Sequence, residues 1–505
     1  MRLKSIKILI AIPGEDGSEV ELSPEDGSVV FKVEPDFETK NIYSFVMTVT
    51  NIDGKTKDID VTINIIDVLE DLDSLPSAIT ESVNENSRFA LAIPEYKDTN
   101  SYVFSGVDGD KVKLWAERGE VIFNYAPDFE TQASYNFIMT VTSATESVKE
   151  VDVTLNITDI SDAFIFEVLA GSIGNIDIVL NDGQHETQYD TYSFTVKRDE
   201  EAAQEFNNLG TFSNRYIHLI ENEGGLTEMQ RFTITPSNMG GLPAFRFNAK
   251  SFNSDVKVRI IQWGDNPWGT LEEMLSPLCG EDRNTDSLSF SGQYDSPNLS
   301  GVSNLQAVLL SCNLTENLGY WDVSSIKNMT FAVALGNGSA DLSQWDVSSV
   351  ENMEGMLQGA LEFNSDLSQW DVSSVINMRS MFRETVEFNV DLPQWKVESV
   401  EDFSFMFAFA EKFNADISDW KLTSAKNMSG MFGATKAFNS DISQWNVSTV
   451  ENMDFMFQAS EAFNQDVRTD WNVTNVTSCT DFKTAAVLDD ENVPNFQNCT
   501  PTPAP

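Results

Sequence analysis

Carboxylates are the abundant source of chemistry in this 505-residue chain, with 79 Asp and Glu against 32 Lys and Arg and a formal charge of −47. Two carboxyl groups flanking a glycosidic bond can act as acid and base, and convergent carboxyl oxygens can hold calcium. One set is regular: Asp341, Asp366, Asp391, Asp416, Asp441 and Asp466 recur every 25 residues, two positions beyond a matching column of Asn364, Asn389, Asn414, Asn439 and Asn464. Stacked carboxylates repel, so this column needs partners, either backbone N–H groups in Asx turns or a calcium ladder. A uniform ladder singles out no acid with a raised pKa, which argues against glycan cleavage and for a chain that is not an enzyme.

Other reactive types are scarce. The two histidines, His185 and His218, lie far apart. Histidine is the commonest acid–base group and metal ligand, so triads and zinc sites are disfavoured and both read as surface residues. The four cysteines, Cys279, Cys312, Cys479 and Cys499, form no C-x-x-C. They fall in two pairs, and in an oxidising compartment each pair can close a disulfide; free buried thiols are the alternative. The negative charge repels nucleic acid and anionic membrane. It suits a secreted protein in a salty, divalent-rich medium, and equally a merely soluble acidic surface. No run approaches the ~18–20 apolar residues of a membrane helix.

The elements that position these columns form a repeat. Trp321, Trp345, Trp370, Trp395, Trp420, Trp445 and Trp471 are spaced by 24, 25, 25, 25, 25 and 26 residues, within phrases such as FNSDLSQWDVSSVINMRSMF. Such a period marks a solenoid, whose units bury their apolar faces on their neighbours. Val375, Met378, Met381, Phe382 and Thr385 have helical spacing, Ser373 or Ser374 can cap that turn, and Ser348/Glu351 and Ser448/Glu451 read as capping boxes. Leu367, Trp370 and Val372 read as a short strand. Each unit is then a strand with one or two helical turns, its strands stacking about 4.8 Å apart in a parallel sheet. The tryptophans belong to the core, which leaves the variable neighbours Asp346, Asp371, Lys396, Lys421, Asn446 and Asn472 as the candidate binding column.

A second repeat occupies the first 160 residues: VVFKVEPDFETKNIYSFVMTVTN returns 92 residues later as VIFNYAPDFETQASYNFIMTVTS. Alternation at Tyr43, Phe45, Met47 and Val49 and at Val61, Ile63 and Ile65, with turns at Asp53-Gly54 and Asp108-Gly109, predicts two β-sandwiches in tandem. At this offset the first unit lacks a counterpart of residues 77–92. Either the sequence is part of a longer chain or another chain supplies the strand. The start, MRLKSIKILIAIPG, is too short and charge-interrupted for a signal peptide and reads as a strand. Residues 163–262 predict a third sandwich. Residues 263–320 read as the solenoid's N-terminal cap, where Thr270 caps a short helix bearing Glu272 and Glu273. The tail, ending TPTPAP, is an extended stub. The fold class is multidomain: 1–73 a sandwich lacking its first strand, 77–162 a second, 163–262 a third, 263–320 the cap, 321–482 an α/β solenoid, and 483–505 a C-terminal cap and tail.

The residues SVNEN with Glu85, the PDFE motifs, and the strands VTINIIDVLED and VTLNITDISD resemble cadherin-like domains of bacterial surface proteins. The resemblance implies calcium at the domain junctions, held by Glu85, Asp128, Glu130 and Asp159 and, in the first unit, by Asp36, Glu38 and Asp67. Departures are Asp98-Thr99-Asn100 for the family's DxD motif and Leu69 where asparagine is expected. The phrase FNxDxSxWxVSxVxNMxxMF, following QWGDNPW, resembles the BspA-like leucine-rich-repeat surface proteins over residues 258–482. Phe403, Leu357, Lys396 and Lys421 depart from that pattern. The resemblance implies adhesion to a protein or glycan on a cell or matrix surface, with no catalytic residues. The function expected is an extracellular or cell-surface recognition protein in which a sandwich stalk presents the solenoid. The alternative is a virion fibre or decoration protein docked by its N-terminus, and a glycan-active enzyme ranks last. Neither nucleic acid nor membrane insertion is expected.

Overall fold

The computed structural model describes residues 9–13, 16–22, 29–33, 40, 42–50, 54–64, 72, 74–129, 131–160, 163–169, 175–180, 194–198, 204–206, 215–220, 230–236, 245–250, 257–264, 268, 271, 274–275, 279, 288–290, 296–312, 318–336 and 340–501. They fall into two compact units, one of residues 1–77, 94–103 and 140–151, the other of residues 78–93, 104–139 and 152–505.

The 92-residue repeat is a repeat of strands. The first module holds β1 (Leu9–Ala11), β2 (Val20–Leu22), β3 (Val29–Phe31), β4 (Ile42–Thr50) and β5 (Thr56–Asn64), in sheets β1-β4-β5 and β2-β3. The second holds β6 (Ala78–Asn84), β7 (Phe89–Ala92), β8 (Ser101–Ser105), β9 (Val112–Trp115), β10 (Glu120–Phe123), β11 (Ser134–Thr142) and β12 (Val148–Thr158), in sheets β7-β10-β9 and β6-β12-β11-β8. Shifting β4 by 92 residues gives β11. The alternation predicted these strands because the inward members are apolar: Tyr43 and Phe45 are buried in β4, as are Tyr135, Phe137, Met139 and Val141 in β11. β6 pairs in parallel with β12, from Ala78 opposite Asp152 to Asn84 opposite Thr158.

The third module adds β13 (Phe164–Leu169), β14 (Asn175–Leu180), β15 (Phe194–Arg198), β16 (Gln204–Phe206), β17 (Arg215–Ile220), β18 (Gln230–Pro236), β19 (Phe245–Lys250), β20 (Lys257–Gln262) and β21 (Leu288–Phe290). Its sheets run β16-β15-β18-β13-β20-β21 and β17-β14-β19. Glu167 on β13 lies opposite Arg231 and Arg259 on the flanking strands, and each of its oxygens accepts from one guanidinium. Burial raises the pKa of this carboxyl, but the two arginines outweigh it and hold the group below its usual range. The module's core continues into the solenoid: the Phe164 ring lies 5.6 Å from Trp263, and Trp263 lies 5.6 Å from Trp321. A β-sheet wall therefore covers the first coil, the duty of a solenoid cap. Thr270, Glu272, Glu273 and His185 lie outside the described residues; His218 is in β17.

The solenoid corrects the α/β expectation. The described residues contain no α-helix, and the expected strand at Leu367, Trp370 and Val372 is absent too: the coils meet through single parallel bridges elsewhere in the repeat, from Asn304 with Asn328 to Asn452 with Ser478. The inward set was right, since Val375, Met378, Met381, Phe382 and Thr385 are all buried. The element was wrong because the backbone N–H groups alternate in direction. Met378, Ser380, Phe382 and Glu384 donate to the next coil, at Asp402, Ser404, Met406 and Ala408, whereas Met381, Arg383 and Thr385 close turns onto residues three back. A helix needs consecutive i→i−4 bonds, and half of the donors here leave the segment. Ser380 and Glu384 have φ of 54° and 62°, which would also break a helix. Equivalent left-handed positions recur in each coil, and two hold glycines under aromatic rings. A Cβ on Gly355 (φ 57°) would come within 2.1 Å of Phe331, and one on Gly430 (φ 62°) within 2.4 Å of Phe405. Side chains spaced by threes still turn inward because a run of tight turns has nearly a helix's angular step. Capping boxes are absent too: Asp346 receives both the Ser348 N–H and its hydroxyl.

Candidate recognition surface

Polar columns tie the coils together. Each of Trp345, Trp370, Trp395, Trp420, Trp445 and Trp471 donates its indole N–H to a carbonyl of the preceding coil, from Trp345 onto Leu318 to Trp471 onto Ile442. The rings of Trp370, Trp395, Trp420 and Trp445 stack with centroids 6.1–6.4 Å apart and planes within 2°. All are at most 4% exposed, so they are core and offer no sugar-stacking platform. Each asparagine of the column accepts the backbone N–H of the next, from Asn364 to Asn389 through Asn439 to Asn464. Asp341, Asp366, Asp416, Asp441 and Asp466 make Asx turns two residues on, and Asp391 accepts from Asp416 N. Backbone N–H groups are thus the partners these carboxylates needed. For Asp416 and Asp441 the Ser418 and Ser443 backbone N–H bonds, and then their hydroxyls, hold the pKa below the usual range.

With those columns engaged, the free surface lies beside the tryptophans. Asp371, Lys396, Lys421, Asn446 and Asn472 are exposed and Asp346 is half-buried, one position after each tryptophan of the stack. Sequence reasoning found this file but missed a second feature on the turn side. There Arg379 lies over Phe405, and Arg383 over Phe405 and the exposed ring of Phe409.

The second module docks on the first coils, which the sequence did not reveal. Trp115 at the end of β9 meets Tyr320 edge-on at 5.3 Å, and a Cβ on Gly319 would come within 2.4 Å of its ring. The Tyr320 hydroxyl donates to Glu120, Arg118 lies 4.6 Å over Trp115, and its Nε is 3.8 Å from Asp341. Burial, then the Glu120 contact, drives the Tyr320 pKa up, and burial raises that of Glu120. Arg88, at 1% exposure, donates to Phe123 O (3.0 Å) and to Gln344 O (2.7 Å), so one guanidinium joins module and solenoid. The Ala126 N–H donates to Asp322. Only the isolated arginine in the acidic SVNENSR segment hinted at this seam.

The residues expected to hold calcium are differently employed. Glu85 is 1% exposed and its two oxygens accept the backbone N–H groups of Phe129 (2.9 Å) and Ile160 (2.8 Å). N–H dipoles on both oxygens present positive charge where a cation would sit. Asp128 receives the Thr131 N–H and hydroxyl, and Asp159 is exposed. Asp36, Glu38, Asp67 and Glu130 lie outside the described residues. Among the described residues no three His, Cys, Asp or Glu converge for a metal, and Glu130, which would join Asp128 and Asp159, lies outside them. Cys279 pairs with Cys312 and Cys479 with Cys499, with Cα–Cα distances of 4.8 and 5.9 Å. No described helix is long and apolar enough to cross a membrane.

Comparison with known proteins bears mainly on the coils. A family described as Mycoplasma protein of unknown function, DUF285, matches residues 283–392, 331–437 and 391–496. No curated protein matches the chain. Matching solved structures include chicken VE-cadherin EC1-2, which is 18% identical with 31% of this chain and 89% of that chain covered and a TM-score of 0.22. Mouse cadherin-23 EC22-24 is 15% identical, with 30% and 53% covered and a TM-score of 0.22. Human protocadherin-24 EC1-2 is 14% identical, with 30% and 82% covered and a TM-score of 0.20. The stacked coils are thus the part that a known family matches, and that family's function is itself unknown.

Proposed function

We propose that this is a non-enzymatic extracellular recognition protein whose solenoid binds a protein or glycan on a cell or matrix surface. The observation that carries the reading is the exposed file beside the tryptophans. Its residues differ from coil to coil while the scaffold below them repeats, and such a column on a stiff array is how solenoids build binding faces. Residues of the second module that pack on the first coils, Arg88 and Trp115 among them, add surface beside this file. Immobilised matrix proteins and glycans, probed with the intact chain and with the double variant Lys396→Glu, Lys421→Glu, test this. Binding that falls at least about tenfold with an unchanged melting curve is the expected result. Equal binding by both proteins would sink the use of this face. A role as a virion fibre would instead show as retention on particles through the N-terminal module.

Calcium is a separable part of the reading. An ion at the second module's junction would rest on Asp128, Glu130 and Asp159, since Glu85 is taken up by N–H donors. Melting with and without a chelator decides it; an unchanged midpoint removes the ion from the account.

A further inference from the structure

The docking seam opens into a cleft of about 490 Å³ between the second module and the first two full coils, within the usual size of a small-molecule site. Arg88 forms its floor beside the indole of Trp345. Lys113 and Tyr125 line the module side, and Gln344, Gln369 and Asp371 the solenoid side. Asp346 and Asp371, the first two members of the exposed file, both face it, so the cleft stands at the head of the surface already described.

Three observations point to a ligand. Lys113 is half-buried, and its ammonium has no hydrogen bond or ion pair to any described residue. Burial, and then the neighbouring Arg88, hold its pKa down to about 8, and Asp346 opposes this. Arg88 spends two of its N–H donors on carbonyls, leaving its positive charge against the cleft with little water to screen it. Tyr125 is 64% exposed at the rim and presents its ring to the cleft mouth. Two adjacent cations are conspicuous in a chain where carboxylates outnumber cations 79 to 32.

Two carboxylates also line the cleft, and Asp346 favours the charged forms of both Lys113 and Arg88. Asp346 accepts the Ser348 N–H and hydroxyl, and Asp371 accepts the Ser373 N–H. Their oxygens are spent on their own turns while their charge remains, and the Lys113 ammonium, bonded to neither, is open to an outside anion. An aromatic ring, side-chain amides and one cation with unspent donors, backed by a second, make a set that suits a hydroxylated ring bearing one carboxylate. The overall charge of −47 works against a polyanion, because each further negative group meets the surrounding field.

We infer that this cleft binds a terminal carboxylated monosaccharide, its carboxylate on Lys113 above Arg88, its ring face on Tyr125, and its hydroxyls on the Gln344 and Gln369 amides. This names a ligand class for the recognition reading above and rests on it.

Calorimetry on the full chain with methyl glucuronide, N-acetylneuraminic acid, methyl glucoside and glucose 6-sulfate tests the assignment. Binding of at least one of the two carboxylated sugars, with none of methyl glucoside, is expected. Lys113→Met should weaken it by about tenfold or more and Tyr125→Ala by about threefold to tenfold, both with wild-type melting curves. Arg88 is left intact because its loss threatens the fold. Affinity should also fall as pH rises past the Lys113 pKa; Arg88, Asp346, Asp371 and Tyr125 are the other ionisable groups facing that ammonium. No heat with either carboxylated sugar, equal binding of methyl glucoside, preference for the sulfate, or indifference to Lys113→Met would each overturn the proposal. Matrix binding that persists in Lys113→Met and is not competed by the sugars would overturn this inference and leave the solenoid-face reading standing. Loss of matrix binding only in the Lys396→Glu, Lys421→Glu variant has the same meaning.

Discussion

The first and second modules share a sequence phrase and differ in their surroundings, and the difference separates local from imposed structure. Asp16 Oδ2 accepts Ser44 N at 2.7 Å, and 92 residues later Asp108 Oδ2 accepts Asn136 N at 2.8 Å. Lys40 reaches Asp16 as Gln132 reaches Asp108. Phe31 meets Tyr43 edge-on at 4.8 Å, and Phe123 meets Tyr135 at 5.0 Å. These contacts join residues no more than 28 apart within the repeated segment, so a repeated phrase repeats them. What the second module has besides is β6, β7 and the seam, whose residues Arg88, Trp115 and Tyr320 respond to the solenoid.

The comparison can be broken most strongly at Trp115. Trp115→Ala removes a fully buried ring from the seam, and a loss of about 3–5 kcal/mol in a denaturant melt is expected. A loss below about 1 kcal/mol would mean that the module does not dock as described. Arg88→Met comes next: it leaves the Phe123 and Gln344 carbonyls without their charged donor, for about 2–3 kcal/mol. Hydrogen exchange should then quicken on both sides of the seam, and exchange confined to the module would contradict the bridge. Glu85→Gln is smaller, about 1–3 kcal/mol, because an amide can accept from only one of the Phe129 and Ile160 N–H groups and turns a donor towards the other.

The smallest effect sharpens the likeness between the modules. The Lys40 hydrogen bond, and then the Ser44 N–H, hold the Asp16 carboxyl below its ordinary value. A depressed pKa stabilises the fold above the unfolded-state value, and that contribution is lost as pH falls through the folded value. NMR titration should therefore place Asp16 below a free aspartate and move it upward in Lys40→Met. An unshifted midpoint would remove the Lys40 contact from the account.

Much of the coiled half was legible because its repeat is long and each inward position is filled by one residue type. The tryptophans and the buried Val-Met-Phe sets follow from pattern alone, whereas the structure chose between the Asx turns and the calcium ladder that pattern left open for the aspartates. The helical turns did not survive, because spacing reports which side chains turn inward and not where their N–H groups point. Those groups went to the next coil, a partner 25 residues away that a local window does not contain. The seam was illegible for a related reason. Arg88 and Gln344 are 256 residues apart, and neither belongs to a period.

By itself, then, the sequence determined the strands of the sandwich modules, the stacking period and the composition of the core, since these follow from the alternation or recurrence of apolar residues along one segment. Only the tertiary structure decided the non-helical coil, the docked second module and the cleft beside Lys113. Each of these depends on backbone donors or single charged side chains meeting partners from distant segments, and such pairings leave no local periodicity to read.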